Sequence, residues 1–91
     1  MSEIPSTVLR HAAKIAMDED RPILLDYYND SISGEAFLGQ HTKTGDKMLI
    51  KSSEEYTSTI KKIFKVESCF IILTENSLYI VTSEITKRRV E

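Results

Sequence analysis

Two runs of four consecutive apolar residues, Phe70-Ile71-Ile72-Leu73 and Leu78-Tyr79-Ile80-Val81, flank a polar turn at Glu75-Asn76-Ser77. A strand with one wet face alternates apolar and polar residues. An unbroken apolar run is what a strand covered on both faces needs. The spacing predicts a hairpin, Cys69 to Thr74 and Leu78 to Ser83, at the centre of the fold, with cover required on both sides. In a chain of 91 residues that cover comes from within a single domain. One face is expected to pack into a barrel and the other against a helix.

The helix is supplied by the N-terminal segment. Val8, Leu9, Ala12, Ala13, Ile15, Ala16 and Met17 recur at helical spacing, with Ser6 as the expected N-cap. Three of these seven are alanine, a thin face that can lie close to a sheet. Asp18, Glu19 and Asp20 oppose the macrodipole at a helix C-terminus, and Pro22 disfavours helix at Arg21, so the helix is placed at about residues 6–18. From Pro22 the chain reads as β-rich to residue 85. Ile23 to Tyr28 is read as a strand, Asn29 to Gly34 as a turn cluster, and Glu35 to His41 as a strand with Ala36 and Leu38 on one face and Phe37 on the other. A hairpin loop at Thr42–Asp46 leads to a strand at Lys47–Lys51.

Residues 52–66 carry two signals. Ser52 and Glu55 form a capping box, and Tyr56, Ile60, Ile63 and Phe64 follow helical spacing. Thr57, Thr59, Ile60, Ile63 and Val66 are β-branched. The preferred reading is a turn at Ser53–Glu55 and a strand from about Thr59 to Val66, which would feed the central hairpin as a meander. The expected fold is mainly β: an N-terminal helix on a six-strand antiparallel meander curling into a small barrel. The alternative is an α+β domain with a second helix at 53–65. Residues 86–91, with Lys87-Arg88-Arg89, are read as an exposed basic tail.

Most specialised chemistries find little support. Twelve Lys and Arg against fourteen Asp and Glu give a net charge of −2, which disfavours non-specific coating of DNA. Cys69 is the single cysteine, and it starts a strand that reads as core. It has no local cation or helix N-terminus to lower its pKa. His11 and His41 lie far apart with no ligand spacing, so no metal is expected. Gly34, Gly39 and Gly45 form no phosphate loop. Asp26 interrupts an apolar run, and it is expected either to face solvent or to pair with Arg10, Lys14 or Arg21. No catalytic pair, cofactor or small-molecule substrate is expected. No apolar run reaches the roughly 20 residues that span a bilayer. Nor does the chain open on a basic start followed by an apolar stretch of about 7–15 residues, so the expectation is a cytoplasmic protein without a signal peptide.

Two binding modes remain. The first is protein contact, in a structural or adaptor module or a homo-oligomer. Val8, Leu9, Ala12 and Ile15, with Tyr27 and Tyr28, are the candidates for core or interface. The second is single-stranded nucleic acid. Lys61, Lys62 and Lys65, helped by Lys87, Arg88 and Arg89, could track phosphates while Tyr56 stacks on a base. Lysines beside strands also serve simply to block edge-to-edge pairing, and tyrosines often fill cores with one wet edge. Shared placement of lysines and exposed tyrosines on one face would separate these readings.

Three stretches carry a resemblance: Asp18-Glu19-Asp20-Arg21-Pro22-Ile23-Leu24-Leu25-Asp26-Tyr27-Tyr28-Asn29-Asp30-Ser31, Glu54-Glu55-Tyr56-Thr57-Ser58, and Thr74-Glu75-Asn76-Ser77-Leu78-Tyr79-Ile80-Val81. Together they resemble small uncharacterised proteins of large double-stranded DNA viruses of algae and protists, over residues 8–83. The resemblance implies a protein of the virion or the infected-cell cytoplasm, with a minor capsid component as a natural role. It carries no catalytic residue. Thr59 stands where those proteins have a proline, which keeps the helix-or-strand question at 56–66 open.

Overall fold

The structure, a computed structural model, describes residues 4–90. Its first element starts at a proline. Pro5 is extended (φ −59°, ψ 144°), and its carbonyl accepts from the amides of Val8 at 3.0 Å and Leu9 at 3.2 Å. Helix α1 (Ser6–Glu19) follows without a side-chain cap, so the capping role expected of Ser6 falls to the Pro5 carbonyl. The helix ends one residue beyond the expected point. Asp20 turns left-handed at φ 55°, and Arg21 Nη1 donates to the carbonyls of Glu19 at 3.0 Å and Asp20 at 3.1 Å. A cation on those orphan carbonyls offsets the run of acids that ends the helix.

Strand β1 (Ile23–Leu24) is short. The aromatic run after it reads as strand but folds as a turn and helix α2 (Tyr28–Ser33). The physical reason lies in where the two rings go. Tyr28 packs beneath α1, whereas Tyr27 enters a second apolar cluster on the opposite side of the sheet. A turn with the Tyr28 amide on the Leu25 carbonyl at 3.2 Å lets adjacent residues serve both. Buried Ser31 locks α2 in place, with its hydroxyl donating to the Tyr28 carbonyl at 2.6 Å and accepting from the Thr82 amide at 3.0 Å. Gly34, at φ 88°, ends the helix in the left-handed region that costs glycine least.

The remaining strands are β2 (Phe37–His41), β3 (Lys47–Ile50), β4 (Ile60–Val66), β5 (Cys69–Thr74), β6 (Leu78–Thr82) and β7 (Thr86–Val90). They form two sheets, ordered β1-β6-β5-β4 and β3-β2-β7. The hairpins β2–β3, β4–β5 and β5–β6 are antiparallel as expected, but β1–β6 and β2–β7 are parallel. The expected six-strand antiparallel meander is therefore corrected to seven strands in two sheets among the described residues, and the sheets do not close into a barrel. The mainly β reading, with an N-terminal helix on a sheet, holds.

Segment 53–65 contains no helix. The Ser52 hydroxyl accepts from the amides of Glu54 at 3.2 Å and Glu55 at 3.1 Å, as a cap would, but it closes a turn. The turn then doubles back instead of propagating. The Lys51 amide bonds the Glu55 carbonyl at 2.8 Å, Tyr56 bridges Ile50, and the Thr57 amide reaches the Leu49 carbonyl at 2.9 Å. The Ser52 and Glu55 pair thus closes a turn in place of a helix N-terminus, and the returning chain covers the edge of β3.

The central hairpin is clad on both faces. Cys69, Ile71, Leu73, Leu78 and Ile80 pack with Val8, Ala12 and Tyr28 under α1. Ile72 and Val81 pack with Tyr27, Ala36, Leu38, Leu49 and Ile85 between the sheets. Each fully buried Leu or Ile contributes about 1.5–3 kcal/mol. The result is three layers: helix, four-stranded sheet, three-stranded sheet.

Candidate protein-docking groove

Register assigns the faces of the three-stranded sheet. Leu38 pairs with Leu49 and both are buried toward the other sheet. Their neighbours therefore point outward: Phe37 and His41 on β2, Met48 and Ile50 on β3, Arg88 and Val90 on β7. These outward residues, Arg88 aside, line a groove of about 520 Å³ with Tyr56 at its rim. Gly39 lies beneath two of the lining side chains, Ile50 and Val90. A Cβ there would stand 2.5 Å from Ile50 Cδ1 and 3.5 Å from Val90 Cγ1, so the missing side chain is what lets Ile50 lie across the sheet. Phe37, Met48, Ile50 and Val90 are half-buried, and Tyr56 is 59% exposed. Arg88 places its guanidinium carbon 4.8 Å from the Phe37 ring centroid.

The basic stretch expected as a free tail is strand β7. It is exposed, as expected, but it pairs in parallel with β2 from Thr86 to Val90. Lys87 turns inward over the Phe70 ring at 5.7 Å, while Arg88 lies on the outer face. Lys87 and Arg89 share the face of Leu38 and Gln40.

Of the other expected binding residues, most are structural. Val8 and Ala12 are fully buried under the sheet, Ile15 packs against them, and Tyr27 and Tyr28 are buried. Leu9 alone keeps substantial exposure, at 40%. The lysines of β4 do not share a face. Lys62 pairs with Leu73, whose side chain meets α1, and Lys65 pairs with Phe70, whose ring faces the second sheet. Lys61 sits at the irregularity between Ile60 and Lys62. None of the three lines the groove that Tyr56 lines. The groove residues Phe37, Met48, Ile50 and Val90 were not singled out from sequence. The available signal was Met48-Leu49-Ile50, an apolar run with material to cover only its Leu49 face.

A polar cluster links α2 to the end of β3. Lys51 Nζ lies 3.0 Å from Asp30 Oδ2 and 4.0 Å from Glu55 Oε2, and 4.4 Å above the Tyr27 ring. Tyr27 meets Tyr79 edge-on at 5.2 Å. Desolvation raises the pKa of both phenols, opposed at Tyr27 by the Lys51 charge. Lys51 itself is raised, mainly by its bond to Asp30. The arrangement ties α2 to β3, and its acids and phenols line none of the groove.

Cys69 is buried and desolvation pushes its thiol pKa up, the opposite of what a nucleophile needs. Among the described residues no three His, Cys, Asp or Glu side chains cluster to hold a metal ion, and no helix is long and apolar enough to cross a membrane. Asp26 is exposed in the turn after β1. Compared with family models, curated proteins and solved structures, the chain matches none.

Proposed function

We propose that this protein is a non-enzymatic contact module that binds another protein through the outer face of its three-stranded sheet. The observation that carries this reading is the apolar groove of Phe37, Met48, Ile50 and Val90, with exposed Tyr56 at its rim. An apolar lining on a sheet face, outside both cores, offers surface that a partner can cover. The resemblance to small proteins of large DNA viruses adds a setting to the proposal, a minor virion or capsid component.

Single-stranded nucleic acid has less support. The β4 lysines divide between faces, two of the four tyrosines are buried, and Arg88 occupies a face of the Phe37 ring. Base stacking needs free ring faces beside a continuous basic track.

The test is a photo-crosslinking residue at position 56 and, as a control, at Glu75 in the exposed β5–β6 turn. The chain is used whole, in extract of its source. Protein adducts at 56 and none at 75 are expected. Nucleic-acid adducts at 56, or equal yields at both positions, contradict the proposal.

A further inference from the structure

We infer that the partner presents an extended segment, alternately acidic and apolar, which adds as a strand to the free edge of β7. This rests on the contact reading above and names the chemistry of the partner.

The edge is open by the hydrogen-bond pattern. The Val90 carbonyl accepts from the Thr42 amide at 3.0 Å, so the polar groups of Val90 face β2. Direction alternates along a strand, so Thr86 and Arg88 also face β2, whereas Lys87 and Arg89 turn their N–H and C=O away from the sheet. β7 ends the order β3-β2-β7, and no backbone bond among the described residues reaches those outward groups. The opposite edge, at β3, is closed by residues 55–57. In the other sheet β4 is also terminal, but it carries a register irregularity, a device that blunts an edge. β7 has no irregularity and borders the groove through Val90.

Charge selects the occupant. Lys87, Arg88 and Arg89 are exposed, and among the described residues none has a carboxylate within ion-pair distance. A second copy is disfavoured, because antiparallel β7–β7 pairing would set three cations against three. An acidic strand gains where a copy loses. Period-two alternation fits the site: acids on one face meet Lys87 and Arg89, and apolar side chains on the other face continue the groove floor beside Val90.

The probes are an eight-residue peptide alternating Val and Glu, its Val–Lys counterpart, and a ten-nucleotide oligo-dT. Each is titrated into the labelled full chain with amide exchange and chemical shifts read residue by residue. The Val–Glu peptide is expected to slow exchange at Lys87 and Arg89 and to move Met48 and Tyr56, more weakly as salt rises. The double variant Lys87→Glu/Arg89→Glu is expected to bind that peptide about tenfold more weakly and to bind Val–Lys instead. The swap in preference reports on charge in a chain that is still folded. Unchanged exchange at Lys87 and Arg89, protection at β4 instead, oligo-dT binding in preference to the peptide, or a dimer protecting β7 would each overturn the inference. Protein adducts at position 56 with β7 left open would remove strand addition and leave the contact reading standing. Loss of both signals removes both.

Discussion

Asp20 and Glu67 are the non-glycine residues held in the left-handed region among the described residues, at φ 55° and 52°. Such a backbone costs an L-residue roughly 1–2 kcal/mol, and Asp20 also sets a negative charge at the C-terminal end of α1. Replacing it removes both penalties. Asp20→Gly is expected to raise the melting temperature by about 4–8 °C, equivalent to about 1 kcal/mol after glycine's own entropic cost. A lower melting temperature in far-UV circular dichroism would contradict the account of that cap. Titration gives a second expectation. Desolvation raises Cys69, Tyr27, Tyr28 and Tyr79, and the Asp30 bond raises Lys51. A raised folded pKa means that the folded chain keeps protons the unfolded chain has already released. Stability is therefore whole below the unfolded values, 9.0 for the thiol, 10.0 for the phenols and 10.5 for the lysine, and falls as pH climbs through them. Denaturant midpoints measured from pH 8 to 11 should decline from about pH 9, and Cys69→Ala should delay the onset. Stability that rose over that range would refute the assignments.

Among the elements, strand type was readable wherever apolar residues had one role each. Ile60–Val66 emerged against a competing helical pattern because β-branched residues led straight into the hairpin. Tyr27-Tyr28 misled because β propensity describes a pleated, half-buried surface, and these rings serve two different cores. Lys87-Arg88-Arg89 misled because a strand made of cations is legible only once its partner is known. Thr86–Val90 pairs with β2, each residue with one 49 positions earlier in the chain, and no local pattern encodes a parallel pair of that separation. The groove was hidden for the same reason, since it gathers β2, β3 and the end of β7. Gly39 offers a direct handle on it. Gly39→Ala forces the Ile50 Cδ1 methyl, part of the groove lining, to move. Because a side-chain tip moves rather than backbone, the stability cost is expected to be about 1 kcal/mol. Protein crosslinking at position 56 should fall sharply. Unchanged yield with the lining moved would show that the partner does not use the groove.

For the molecule as a whole, the doubly apolar hairpin dictated cover on both faces, and the helix was correctly placed on one. The second cover is an independent three-stranded sheet, not the curled end of the same one, because Ser83–Ile85 carries the chain across from β6 to β7 with Ile85 buried on the way. Both interior clusters rest on the same two strands, so stability should depend equally on them. Ile71→Ala, under α1, and Ile72→Ala, between the sheets, are each expected to cost about 2–5 kcal/mol in urea unfolding. A negligible loss at Ile72 would mean that the sheets are not packed. The reading of function depends on whether the C-terminal cations form a paired strand with one free side. Amide exchange in the free protein tests this most directly. Slow exchange at Arg88 and Val90 with fast exchange at Lys87 and Arg89 is the expected pattern. Fast exchange at all four would make residues 86–90 a tail, and slow exchange at all four would mean that the edge is already covered; either result contradicts the account.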